Sequence, residues 1–291
     1  MAEITKAIIP IAGRGLRFLP LSKVLPKELF PLGDKPLIHY AVAEAKGAGA
    51  TEIIFVTNTA KKFVGDYFRR SPQLEKIIDE RHEEKLIEEL REVERLCEGL
   101  TFSYASEPQP QGDGHAILQA RKLIGDEPCF VLYPDDVIVS SKPVLSQLEQ
   151  LFKTSQRPIL ALASMAKERL SSYGVISGEK ITNKVYKVKK IIEKPKIEEA
   201  PSHLVLVGRS IITPEVFEYL KKARPNKKGE VSLTETFGEM VRDGQVIYGY
   251  EIEGKWLECG TKREWLKSFF SFALSEPELR KEIQQLVKEQ K

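Results

Sequence analysis

Apolar residues run together over 7–12 and stop at glycines, the pattern of a strand buried on both faces that ends in a tight turn. A helical stretch follows over 36–48, with Pro36 in its first turn and Gly47 and Gly49 at its end. The Ile, Val and Phe of 52–57 predict a second buried strand. Residues 60–70 predict a helix, and 74–96 carries apolar residues at three- and four-residue steps among charges, which predicts one long surface helix. Strands are expected at 101–105 and 129–133, with a helix over 114–123 between them. Strand and helix thus alternate through the first half, so the chain should build an α/β fold with a parallel sheet wrapped by helices. Ligands of such sheets collect at the carboxyl ends of the strands, which points to the loops after Ala12, Ala105 and Tyr133.

Beyond a helix over 144–152 and a strand over 158–163 the pattern is less regular. Short strand signals at 173–176, 185–192 and 204–212 predict a smaller, substrate-covering portion. Two amphipathic helices over 261–273 and 276–288 close the chain, either to cap the fold or to form a subunit contact.

Composition adds exclusions. The chain has 291 residues, 42% of them hydrophobic and 30% charged, enough to bury a substantial core. Its net charge of +3, from 45 basic and 42 acidic residues, is too balanced for a sequence-independent grip on nucleic acid. Cys97, Cys129 and Cys259 are odd in number and have no zinc-like spacing, which fits a reducing cytoplasm. The start of the chain lacks the apolar core of a signal peptide, and no stretch reaches the ~18 apolar residues of a membrane span. A cytoplasmic protein without membrane partners is expected.

The candidate chemistry begins in the loop after the first strand. Gly13 and Gly15 let the backbone turn tightly and bring N–H groups against a phosphate. Arg17 and Lys27 add cations over the same anion. The loop is not a GxxxxGK[ST] phosphate loop, and no third glycine completes a dinucleotide fingerprint, which disfavours a dehydrogenase. Pro20, Pro26 and Pro31 stiffen the long connection to the next helix.

The run Ala12-Gly13-x-Gly15-x-Arg17-x-Leu19-Pro20-x-x-Lys23-x-x-Pro26-Lys27-Glu28 closely resembles the signature of sugar-nucleotide pyrophosphorylases, in particular the bacterial UTP-glucose-1-phosphate uridylyltransferases. Further matches occur in the family's order: Asp34-Lys35-Pro36, Gly112-x-Gly114-His115, Pro134-Asp135-Asp136, Tyr173-Gly174-Val175, Glu193-Lys194-Pro195, Val207-Gly208-Arg209, Gly229-Glu230-Val231 and Cys259-Gly260-x-Lys262. The resemblance implies a Rossmann-like, mostly parallel sheet flanked by helices, of the nucleotidyltransferase and glycosyltransferase-A kind. It implies one domain over 1–260, with a nucleotide-binding part of about 1–140 and a sugar-binding part of about 141–260, followed by C-terminal helices over 261–291. Its partners would be a nucleoside triphosphate and a sugar 1-phosphate, its cofactor Mg²⁺, and its assembly a homo-oligomer, dimer or tetramer.

The implied reaction is attack of a sugar phosphate oxygen on the α-phosphorus, expelling pyrophosphate. Bringing two anions together is the barrier, so alignment and charge neutralisation should dominate catalysis. By resemblance, Arg17 and Lys27 serve the triphosphate and Lys194 the sugar phosphate. Ala12, Gly13, Gly15, Glu107, Gly112 and Gly114 would bind the nucleotide, and Asp136, Gly174 and Glu193 the sugar. Asp135 would hold the metal, with Glu258 as the second metal carboxylate where the family has Asp. His115 has a structural or phosphate-proximal role, because an ionised phosphate needs no general base. Cys259, Trp256 and Trp265 are expected in the packing.

Two departures touch the nucleotide. Leu16 replaces the family's Thr, removing a hydroxyl, and Glu107 stands where the family reads uracil with Gln. A carboxylate only accepts hydrogen bonds, so Glu107 offers uracil one bond rather than two and pairs better with the two adjacent donors of guanine. UTP or dTTP is favoured by whole-chain similarity, with GTP as the alternative. A non-catalytic sugar-nucleotide sensor is the rival from another class; Arg17, Lys27, Asp135 and Lys194 argue against it.

Overall fold

The computed structural model describes residues 3–58 and 63–289. The chain opens with β1 (Lys6–Pro10), two short paired strands β2 (Pro31–Leu32) and β3 (Lys35–Pro36), helix α1 (Leu37–Gly47), β4 (Glu52–Thr57) and α2 (Phe63–Asp66). Helices α3 (Pro72–Glu80) and α4 (Glu84–Cys97) lead to β5 (Thr101–Ser106), α5 (Asp113–Gln119), α6 (Arg121–Ile124), β6 (Cys129–Leu132) and β7 (Asp136–Val139). The second half comprises α7 (Val144–Ser155), β8 (Ile159–Ser164), β9 (Gly174–Lys180), β10 (Val185–Glu193) and β11 (Leu204–Ile212). It ends with α8 (Pro214–Lys222), α9 (Leu233–Arg242), β12 (Tyr248–Glu251), β13 (Lys255–Glu258), α10 (Lys262–Ala273) and α11 (Pro277–Glu289).

One nine-stranded sheet runs through the molecule in the order β5-β4-β1-β6-β11-β8-β12-β10-β9. Its first four strands are mutually parallel, as the alternation of strand and helix predicts. Strand β11 then pairs antiparallel with both β6 and β8, and β10 pairs antiparallel with β12 and β9. Within this sheet β10 and β11 therefore run against the rest. The sheet is buried on both faces, and β1 shows how. Ala7 and Ile9 pack with Val42 of α1 and Leu148 of α7 on one side, while Ile8 packs with Ile117 of α5 and Phe217 of α8 on the other.

The stretch 74–96 is two helices rather than one. The seven residues from Asp79 to Lys85 are all polar, so no apolar stripe anchors the middle turn, and His82 takes a left-handed conformation with φ 55°. The predicted helix over 60–70 is seen as α2, its first three residues lying outside the described ones. Helices α8 and α9 and strands β7, β12 and β13 add to the elements that periodicity predicts. Strand β13 pairs with β7 in a separate ribbon, setting Glu258 opposite Asp136.

Candidate active site

A cleft of about 960 Å³ opens beyond the carboxyl ends of β1 and β6. Ala12, Gly13, Gly15, Arg17, Lys27, Glu107, Gly112, Asp135, Glu193 and Lys194 all line it, so residues far apart in sequence converge as the motifs imply. Gly114, Asp136, Gly174 and Glu258 stand outside that lining and support it from behind.

The loop after β1 is fixed where it leaves the strand. The Ile11 amide continues the strand by donating to Val56, and the Asn58 side chain donates to the Ala12 carbonyl at 2.7 Å. Gly15 turns the chain at φ 64°, a left-handed value that a side chain resists, and a 3-10 turn over Leu16–Phe18 follows. Phe18 buries itself against Phe30, which pins the turn from below. Arg17 stands at the rim, donating to the Gly260 carbonyl at 3.3 Å. No heavy atom lies within 4 Å of where a Cβ on Gly13 would be, so its backbone faces open space.

Lys27 and Asp135 meet at 2.6 Å across the cleft floor. Burial disfavours both charges, yet each outweighs the other's penalty: the Asp135 carboxyl is held below its ordinary value and the Lys27 ammonium above its own. Both groups are thereby kept ionised. Asp136 differs. Burial, reinforced by the adjacent Asp135 charge, raises its carboxyl, and the Trp256 indole N–H donates to it at 2.7 Å. Behind Asp135 the Cys259 amide donates to its carbonyl at 2.7 Å, so β13 braces the corner between β6 and β7.

On the wall formed by α5, Glu107 is 1% exposed. One of its oxygens accepts from His115 Nδ1 at 2.6 Å and from the Gln111 amide at 3.3 Å. The Gln119 amide sits 3.1 Å from His115 Nε2, which leaves Nδ1 as the proton donor to Glu107. His115 is thus engaged structurally. Gly112, at φ 104°, brings the chain against the segment before α9: a Cβ there would fall 2.4 Å from the Val231 carbonyl oxygen. A Cβ on Gly114 would fall 3.0 Å from the Leu233 amide nitrogen, and the Gly114 amide donates to the Val231 carbonyl at 3.0 Å.

At the other end, Glu193 and Lys194 form a pair at 2.9 Å. Lys194 takes a left-handed conformation, φ 46°, unusual for a residue with a side chain, and its amide donates to Tyr173. Gly174 makes room for that crossing, since a Cβ on it would meet Glu193 Oε2 at 3.2 Å and Thr234 at 2.8 Å.

A family model described as Nucleotidyl transferase matches residues 6–273. This chain belongs to the nucleotidyl transferases. Within that family it is 39% identical to the UTP–glucose-1-phosphate uridylyltransferase of Pseudomonas aeruginosa, over 91% of this chain and 94% of that one. It is 36% identical to the Bacillus subtilis enzyme of the same name, over 97% and 96% of the two chains. Among solved structures, a UDP-glucose pyrophosphorylase complexed with UDP-glucose superposes with a TM-score of 0.85 at 37% identity, covering 94% of this chain and 100% of that one. A UTP-bound relative from Acinetobacter baumannii superposes at 0.88 with 31% identity, covering 99% and 100%.

Set beside the nucleotidyl transferase signature, one side chain behaves differently from what its position implies. The Glu258 carboxylate turns to Arg169 and to the Tyr173 hydroxyl, with Glu264 completing the cluster. Several residues of the site carry no motif of their own. Asp113 lines the cleft half-buried, accepting from the Tyr133 hydroxyl at 2.7 Å and the Leu233 amide at 3.3 Å, and desolvation raises its carboxyl. Lys227 and Lys228 line the cleft beside the matched Gly229-Glu230-Val231, and their position just before that motif is the signal that marks them.

Proposed function

We propose that this chain condenses UTP with glucose 1-phosphate to give UDP-glucose and pyrophosphate. A sugar phosphate oxygen forms the new bond to the α-phosphorus as the bond to the pyrophosphate oxygen breaks. The observation that carries this reading is the Lys27–Asp135 pair at 2.6 Å, with Arg17 and Lys194 lining the same cleft. Cations there neutralise the triphosphate and the departing pyrophosphate, and Lys194 draws the sugar phosphate toward them. The triphosphate's backbone contacts come from Ala12, Gly13 and Gly15. On the sugar side Glu193 lines the cleft, with Gly174 and Asp136 behind it.

The donor set fits Mg²⁺ held through Asp135. Mg²⁺ binds through one or two carboxylates plus phosphates and keeps several waters. Asp135 is held ionised and lines the cleft, where the substrate's phosphates and water would complete the shell. Glu258, engaged by Arg169, does not fit as a direct ligand in this arrangement. When bound, the metal would supply charge neutralisation on the phosphates.

The second reading is a base other than uracil. Glu107 spends one oxygen on His115 and Gln111, and its other oxygen can only accept, which suits guanine as well as uracil. Pyrophosphate release with UTP, dTTP and GTP in the presence of glucose 1-phosphate tests both readings. Release with none of them would refute the activity, and faster release with GTP would replace the base. The exposed Leu266, Phe270, Leu279 and Leu286 of α10 and α11 support a homo-oligomer closed through these helices. Light scattering of the eluted protein would show a monomer if that assembly is wrong. No helix of the described residues is long and apolar enough to cross a membrane, and a cytoplasmic setting is part of this proposal.

A further inference from the structure

Arg209 is 2% exposed, lies in no lining of the cleft, and spends its whole guanidinium inside the fold. Its Nε donates to Glu44 of α1 at 2.9 Å, and its Nη1 donates to the Tyr133 and Gly208 carbonyls at 2.8 Å each. Its Nη2 donates to the Asp136 carbonyl at 2.5 Å. Tyr133 and Asp136 are the two ends of the corner that carries Asp135. One planar fork therefore holds both ends of that corner, which a lysine, with a single point charge, could not do.

The neighbouring residue shapes the same corner from its other side. Strand β11 loses register against β8 between Leu206 and Ser210, and Gly208 sits in that irregularity. A Cβ on Gly208 would lie 2.3 Å from Asp136 Oδ2, so the carboxylate occupies the space a side chain would need. The Tyr133 amide donates to the Gly208 carbonyl at 3.0 Å, closing the contact. Burying a guanidinium this deeply is expensive unless it is fully partnered, and a pair of apolar residues would fill the same volume at less cost. What the charge adds is a rigid tie between α1, β11 and the Asp135–Asp136 corner.

We propose that Arg209, anchored by Glu44 and assisted by Gly208, is a positioning residue that sets the Asp135–Asp136 corner for metal and sugar phosphate. The proposal rests on the reading that Asp135 faces the substrates, with Asp136 supporting the corner from behind. Arg209 touches neither substrate and acts through the corner alone.

The test compares Arg209→Lys, Gly208→Ala, Asp135→Asn and, as a remote packing control in β4, Ile53→Ala. Each is measured for melting temperature, kcat, KM for both substrates and the Mg²⁺ concentration at half-maximal rate. Mn²⁺ binding in the presence of UTP, followed by electron paramagnetic resonance, adds a readout independent of turnover. Arg209→Lys should lose about 10- to 100-fold in kcat or metal affinity, the range seen when supporting partners of metal ligands are removed. Ile53→Ala should lose melting temperature without either change. If Arg209→Lys behaves like Ile53→Ala, the role is packing only and the proposal is overturned. Should Arg209→Lys fail to fold, Gly208→Ala decides: a raised KM for glucose 1-phosphate supports the proposal, and an unchanged one overturns it. If Asp135→Asn itself leaves rate and Mn²⁺ binding intact, the error lies in the site assignment rather than in the role of Arg209.

Discussion

Glu107→Gln should move this nucleotidyl transferase toward UTP and away from GTP. The structure sets the size of the effect. The side-chain oxygen that accepts from His115 at 2.6 Å and from the Gln111 amide at 3.3 Å can be the amide oxygen of Gln, so the buried network survives. The other position changes from an acceptor to an N–H donor facing the base. Uracil exchanges the bond its ring N–H gave to the carboxylate for one that the amide N–H donates to a ring carbonyl, so its binding changes little. Guanine loses a charge-assisted bond worth about 1.5–3 kcal/mol. The preference for UTP over GTP should therefore rise at least about tenfold. A coupled pyrophosphate assay with each triphosphate at fixed glucose 1-phosphate measures the ratio directly, with circular dichroism confirming that the variant is folded. A folded variant whose UTP-to-GTP ratio stays within about twofold of the parent would refute the placement of Glu107 against the base.

Asp135→Asn removes the carboxylate paired with Lys27 and should lower kcat by about two orders of magnitude or more, read from initial rates at saturating substrates. Glu258→Gln should affect melting temperature more than rate, because its carboxylate is engaged by Arg169; a rate loss matching that of Asp135→Asn would overturn this. Asp113 has its carboxyl raised by burial, so ionising it in the fold carries a penalty present above its folded pKa and absent below its ordinary value of 3.8. The melting temperature of Asp113→Asn relative to the parent should accordingly become more favourable as pH rises from about 4 to about 8, and a flat difference would refute this. Gly112→Ala should destabilise the protein by about 2 kcal/mol or more, seen in denaturant titration, since its Cβ would sit 2.4 Å from the Val231 carbonyl oxygen at φ 104°.

Periodicity reads best where a strand carries a run of consecutive apolar residues. The limits of β4 and β11 coincide with their predicted spans, and the carboxyl ends of β1 and β6 lead into the cleft as the alternation implies. It fails where a cue is local and brief. Ser232 caps α9 by accepting from the Glu235 amide, a three-residue spacing present in the sequence but short beside the run it opens. Arg17, Lys27, Asp135 and Lys194 are legible because their motifs are contiguous. Arg209 and Glu44 are 165 positions apart, and neither burial nor pairing of such charges leaves a trace in periodicity. Glu258 was readable as a departure from the family's Asp, but its partner Arg169, 89 positions away, was not.

The reversed strand β11 also bears on how the chain is made. Strand β6, wholly buried in the finished sheet, pairs on one side with β1 and on the other with β11. During synthesis the β1 partner emerges first, but residues 204–212 emerge only after α7, β8, β9 and β10 have been made. At about 5–20 residues per second, β6 spends seconds as the unpaired apolar edge of a four-stranded nascent sheet. Truncation before Leu204 would make that edge permanent, so shortened products of this gene should partition to the insoluble fraction, while products ending after Ile212 have the means to cover it.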